Sequence, residues 1–317
     1  MSAAAVVDAI GLISGGLGVI SFIQDNLPEK PAQGATVRIK VGNPGDDNPG
    51  MDGDISHAYA WDTFNNYLGQ ADGSHVNVGD AATLTIDSFS PGSRADYIGV
   101  AAAKNAVCIS WITVSMFDET PGGAWTGDIG YKCGQNWYEQ GEEAGYLDED
   151  QKQKYIPKCT WLDEDHSETV PSAALKFKVT AYGHDVPEVA KNGEGCKWTR
   201  YGPDNGPISE KPGDKRSTNA NRERLPWMEK KLIMSNVTSH KAENMCNSET
   251  SWGPDFVSPD GMFCDMGTKT LAPLCSTQNV QGCVDIDEEE GVVKKRSFVA
   301  KRQVESTHRK YETISKW

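Results

Sequence analysis

Eight cysteines in a chain of 317 residues constrain the fold more than any other feature. They are Cys108, Cys133, Cys159, Cys196, Cys246, Cys264, Cys275 and Cys283. The number is even, no two form a C-x-x-C pair, and no histidine stands at metal-ligand spacing from a cysteine. A zinc ribbon or thioredoxin-type site is therefore disfavoured, and four disulfides are expected. Such a framework needs an oxidising compartment, so the chain is expected to be secreted and extracellular. Short loops close most easily. Cys275 with Cys283 closes about nine residues and Cys246 with Cys264 about nineteen, worth roughly 2.6 and 3.2 kcal/mol of chain entropy. In the first half the expected pairs are Cys133 with Cys159 and Cys108 with Cys196. The sequon Asn236-Val237-Thr238 makes Asn236 a glycosylation candidate.

Charge narrows the partners. With 31 basic against 45 acidic side chains the net charge is −14, which repels a phosphate backbone, so no nucleic-acid partner is expected. Residues 1–28 form the first expected segment. Ala3 to Ile23 is apolar apart from Asp8 and two serines, and it reads as a glycine-broken helix packed on the core. Membrane contact through Ala3–Ile23 is the alternative, since the stretch is about long enough to span, although Asp8 is costly in hydrocarbon.

From Thr36 the pattern turns to short strands. Thr36–Gly42 alternates with period two, and further strands are expected at His57–Trp61, Asn65–Gly69, His75–Val78, Ala82–Ser88, Tyr97–Ala102, Val107–Ser115, Gly127–Lys132 and Leu175–Tyr182. Clusters of Gly, Pro, Asn and Asp separate them, and no β-α-β alternation occurs. Residues 29–184 are thus expected to be a β domain, 185–226 a polar connection, and 227–317 a Cys-rich region with a charged tail. The expected fold class is mainly β: an antiparallel β-sandwich or barrel with an N-terminal apolar helix and a disulfide-rich, partly helical C-terminal region.

Motifs for chemistry are sparse. G-x-S-x-G, H-E-x-x-H, the P-loop and a strand-to-helix G-x-G-x-x-G are all absent. The acidic loop offers Asp46, Asp47, Asp52 and Asp54 as possible Ca²⁺ ligands, without the EF-hand order; no other cofactor is expected. Trp125, Trp137 and Trp161 lie near Asp, Asn or Gly, where exposed rings could stack on sugars or anchor a protein; the alternative is that these large aromatics fill the sandwich and cover its ends. Asp128 and Asp163 accompany them. A polysaccharide hydrolase would pair Asp128 with Asp163 or Asp165, but nothing in the sequence positions such a pair. The basic groups Lys294-Lys295-Arg296 and Lys301-Arg302 look like secretory-pathway processing sites.

Three stretches carry a family likeness. One is Asn105–Trp111 with Trp125–Tyr138, a second is Tyr155–Asp163, and the third is Ser251–Ser258 with Phe263–Met266, Leu274-Cys275 and the terminal Trp317. In these the chain resembles a group of uncharacterised secreted proteins of filamentous ascomycete fungi, similar to the C-terminal region of fungal heat-labile-enterotoxin-like proteins. The likeness spans roughly residues 3–183 and 227–317. It implies secretion and disulfides but no particular activity, and the Arg/Ser-Thr-Ser/Glu-x-Glu constellation of the toxins' ADP-ribosyltransferase part is missing. The expected function is a glycan- or protein-binding module, effector or structural, rather than an enzyme. A membrane-active or toxin-accessory protein and a polysaccharide hydrolase are the alternatives.

Overall fold

The computed structural model describes residues 28, 33–45, 50–118, 122–146, 152, 154–166, 170–182, 186–212, 224–299 and 302–317. The expected helix at Ala3–Ile23, together with Asp46 and Asp47, lies outside the described residues. The chain divides into two compact units, Met1–Asn43 with Met51–Ala220 and Pro44–Gly50 with Asn221–Trp317.

The first unit is antiparallel β throughout its described strands. In chain order these are β1 (Ala35–Val41), β2 (Gly53–Trp61), β3 (Tyr67–Asp72), β4 (His75–Val76), β5 (Ala81–Ile86), β6 (Tyr97–Ala102) and β7 (Val107–Met116). They continue as β8 (Gly123–Thr126), β9 (Trp137–Tyr138), β10 (Gly145–Tyr146), β11 (Lys154–Tyr155), β12 (Cys159–Leu162), β13 (Ala174–Lys178) and β14 (Thr199–Gly202). One sheet runs β5-β1-β7-β12-β9 with β8 added on β7, and a second runs β14-β13-β6-β2-β3 with β4 added on β2. Strands β10 and β11 form a separate ribbon. The period-two pattern of β1 is realised: Val37, Ile39 and Val41 are fully buried while Arg38 and Lys40 between them are half-buried. Strand β7 is buried along its whole length, as expected of a strand covered on both faces. Each fully buried Val, Ile or Phe contributes roughly 1.5–3 kcal/mol.

Several expectations are corrected. Gly127–Lys132 is an α-helix, not a strand. A Cβ on Gly127 would stand 2.2 Å from the Lys158 carbonyl oxygen and one on Gly130 would stand 2.0 Å from Thr160 Oγ1. The helix therefore lies directly on β12, an approach only glycine permits. The strand expected at Leu175–Tyr182 ends at Lys178 and gives way to a 3₁₀ turn, Val179–Ala181. The polar stretch 185–226 is more than a connection. It holds short helices at Val186–Lys191 and Gly195–Trp198, then β14, whose half-exposed residues suit a sheet edge.

The first-half disulfides are exchanged relative to expectation. Cys108 pairs with Cys159 and Cys133 with Cys196, each at a Cα–Cα distance of 5.3 Å. Sheet pairing of β12 on β7 brings the first two together, while the second ties the end of the Gly127–Lys132 helix to the Gly195–Trp198 helix. Loop length alone could not see either relation.

The second unit contains β15 (Lys231–Met234), β16 (Asp255–Ser258), β17 (Met262–Asp265), β18 (Thr270–Pro273), β19 (Val284–Asp287), β20 (Val292–Val299), β21 (Arg302–Lys310) and β22 (Thr313–Lys316). Its larger sheet runs β18-β17-β16-β15-β22, and β15 pairs in parallel with both β16 and β22. A three-stranded sheet, β19-β20-β21, shares its core, where Leu232, Val257, Phe263, Val284, Val293 and Tyr311 cluster. The expected partly helical region is thus β-built, with its described helix confined to single turns at Pro226–Lys230 and Ala242–Asn247. Cys246–Cys264 and Cys275–Cys283 pair as expected.

The sign change in the tail has a structural reading. Acidic β19 pairs with basic β20, placing Asp285 opposite Lys294, and Arg296 Nε lies 2.5 Å from Asp285 Oδ2. The basic group Lys294–Arg296 is therefore inside a paired strand. A second ionic centre is fully buried at Asp255. Its Oδ1 accepts from Arg224 Nη1 at 2.6 Å and the Met266 amide at 2.8 Å; its Oδ2 accepts from the Tyr311 hydroxyl at 2.5 Å and lies 3.3 Å from Arg309 Nη1. Burial first, and then the Asp255 charge, push the Tyr311 phenol far above its ordinary range.

Candidate functional site

Most residues expected to form a binding surface are inside the molecule. Trp125 on β8, Trp137 on β9 and Trp161 on β12 are each 0% exposed. Their side chains fill the first unit and form no stacking surface. Asp163, directly after β12, is also buried, its amide donating to the Ser172 carbonyl at 2.9 Å. Asp165 is exposed. In the acidic loop, Asp52 and Asp54 both face His75, at 3.5 Å and 2.8 Å, and Asn105 Nδ2 donates to Asp54 at 2.8 Å. Among the described residues no group of three or more His, Cys, Asp or Glu is placed to hold a metal ion. Asn236 is exposed after β15, as a glycan acceptor must be.

Asp128 lies in the first turn of the Gly127–Lys132 helix. The Tyr155 hydroxyl donates to its Oδ2 at 3.0 Å and the Lys158 amide to its Oδ1 at 3.2 Å. The carboxylate that the fold brings into its surroundings is Glu139. Lys158 serves both acids, its Nζ lying 2.9 Å from Glu139 Oε1 and 5.2 Å from the centre of the Trp137 ring. Burial raises the Asp128 pKa, with Lys158 pulling against it and Glu139 adding to the rise. The phenol of Tyr155 is pushed well up, by burial and by Asp128. The arrangement ties the helix to β11 and β12, with Asp128 held by donors on both oxygens.

The exposed aromatic surface is made by other residues. Strand β2 places His57, Tyr59 and Trp61 on one face, with ring centroids 5.5 Å and 6.0 Å apart along the row. Tyr67 on β3 meets Trp61 at 6.1 Å and Phe89 at 6.0 Å. The row runs from core to solvent: Tyr59 is 4% and Trp61 2% exposed, while Tyr67 is 38% and Phe89 76% exposed; Phe64, in the β2–β3 turn, is 79% exposed.

The hairpin that presents Phe64 is rigidly built. Asp62 Oδ1 accepts the Phe64 and Asn66 amides at 2.9 Å and 2.8 Å, and Asn65 turns in the left-handed region at φ 74°. Although burial opposes it, hydrogen bonds from Asn66, Phe64 and Asn65 hold the Asp62 carboxyl below its usual pKa. Asn65 in turn donates to the Ser209 carbonyl at 2.6 Å and accepts from Lys176 Nζ at 2.6 Å.

Sequence reasoning missed Phe64, Tyr67 and Phe89. The available signal was a large apolar residue inside a polar turn, Asp-Thr-Phe-Asn-Asn at 62–66 and Ser-Phe-Ser-Pro at 88–91.

Fold and site together define a mainly β, four-disulfide protein that exposes aromatic rings from β3, the β2–β3 turn and the segment after β5. No family model, no curated protein and no solved structure matches the chain.

Proposed function

We propose that this chain is a secreted, extracellular glycan-binding module whose sheets in the first unit face one another as a sandwich. Sugar rings stack on Tyr67 and Phe89, with Phe64 extending the surface. The exposure of these three side chains carries the reading, because large aromatics held in solvent on a rigid support bind apolar faces with little loss of side-chain freedom. Asp62, Asn66 and Gln70 surround them with hydrogen-bonding groups suited to hydroxyls. Tyr67 already donates to Gln70 Oε1 at 2.8 Å. The four disulfides support residence in an oxidising compartment. No described helix is long and apolar enough to cross a membrane. The likeness to secreted ascomycete proteins read from the sequence supports the same location.

The test is a glycan and cell-wall polysaccharide array probed with the folded, oxidised protein. Saturable binding to a defined sugar series is expected, with Tyr67→Ala and Phe89→Ala each weakening it about three- to tenfold. A blank array, or binding indifferent to both variants, overturns the reading. Loss of binding in EDTA would place a cation at the sugar site.

A further inference from the structure

The second unit holds a cavity of about 220 Å³ beside its core. Phe263, Ala272 and Val284 supply its apolar lining, and Thr270, Lys295 and His308 its polar groups. An apolar cavity of about 150 Å³ accommodates benzene, so there is room for one ring and a small head group.

His308 reaches the cavity by a defect in the sheet. Val293 pairs with Arg309 and Lys294 with Thr307, leaving His308 as the extra residue of a β-bulge. Bulges re-aim a side chain, and are frequent beside binding sites. His308 Nε2 lies 3.1 Å from Asp265 Oδ2, and Phe263 meets the imidazole edge-on at 5.9 Å.

Asp265 is held by partners of its own. Asp265 Oδ1 accepts the amides of Gly267 at 2.8 Å and Thr268 at 3.1 Å. Burial opposes its ionisation, but these bonds and the nearby Arg309 hold its pKa below the ordinary value. The one carboxylate of the cavity is thus already satisfied by His308 and the two amides. Among the described residues the Lys295 ammonium has no ion-pair partner. The hydroxyls of Thr268 and Thr270 are hydrogen-bonded to each other at 2.9 Å.

We infer that this cavity binds a small organic acid with a compact apolar body. The acid group meets Lys295, and the body lies against Phe263, Ala272 and Val284. The site is independent of the aromatic display of the first unit.

The probe is benzoate, titrated into the intact oxidised protein and followed by amide NMR, with benzyl alcohol as a neutral molecule of similar shape. Saturable shifts centred on Thr270, Lys295 and His308 are expected, with benzyl alcohol about tenfold weaker. Lys295→Gln, a change at an exposed strand position, should bring the two probes within about twofold of each other. Thr270→Phe, which fills the mouth, should abolish both. Equal binding of the two probes by the wild type, shifts centred elsewhere, or no saturation up to about 10 mM overturns the assignment. Unchanged benzoate affinity in folded Lys295→Gln does the same.

Discussion

The ammonium of Lys176 stands 3.6 Å from the centre of the Trp61 ring, at the base of the aromatic row. It also donates to Asn65 Oδ1 at 2.6 Å and to the Ile208 carbonyl at 2.9 Å, so one side chain supports both the ring and the turn that presents Phe64.

Burial, opposed by Glu210 and reinforced by Arg200 and Lys211, lowers the Lys176 pKa to about 7. The unfolded value is about 10.4. Between those two values the unfolded chain binds more protons, so this group makes stability rise with pH; below about pH 7 its burial penalty is fully present. The stability deficit of the wild type relative to Lys176→Met should therefore shrink as pH rises from about 7 to about 10. NMR titration of the Lys176 Cε methylene should give a midpoint near 7, and a midpoint near 10 would contradict the burial.

The two kinds of aromatic should separate cleanly by stability. Trp125→Ala and Trp161→Ala empty fully buried sites and should each cost about 3–5 kcal/mol. Phe89→Ala, at 76% exposure, should change stability by no more than about 0.5 kcal/mol. Denaturant midpoints of the three variants test this, and a harmless Trp125→Ala would remove that ring from the core.

Disulfide removal should follow loop length. Cys133 and Cys196 are separated by 63 positions and Cys275 and Cys283 by 8. Replacing each pair by serine should cost about 4 and about 2.6 kcal/mol respectively. Non-reducing peptide mapping checks the pairing itself, and a Cys133–Cys159 peptide would contradict the structure.

Asp255→Ala strands Arg224, whose side chain is 5% exposed, and should destabilise the second unit by about 3–5 kcal/mol. Thermal unfolding read by signals from that unit is the measurement. A variant that retained wild-type stability would show that the buried ion pair is not formed.

Strand positions are legible by two signals. β1 falls where the period-two pattern of Thr36–Gly42 puts it, and β6, buried at every position, is an apolar run between turn signals. Gly127–Lys132 was misread because Ile129 and Tyr131 alternate as in a strand. What decides the helix is non-local, the contact of Gly127 and Gly130 with β12. The local disulfides were legible from spacing; the long ones follow sheet pairing, which spacing does not encode. Polar neighbours leave a tryptophan open between surface and core; Trp125, Trp137 and Trp161 are buried, and exposed rings are Phe64, Tyr67 and Phe89. Composition around an aromatic does not report which side of a sheet it faces.

Strand β15 is flanked in parallel by β16 and by β22, with Lys231 opposite Thr313. During synthesis β15 emerges long before its second neighbour, and until Thr313–Lys316 follows, that flank presents open backbone donors and acceptors. The first unit can therefore assemble before the second unit's larger sheet has all its described strands. A variant lacking Thr313–Lys316 would move the edge of this sheet from β22 to the buried strand β15, an apolar template for pairing with other chains.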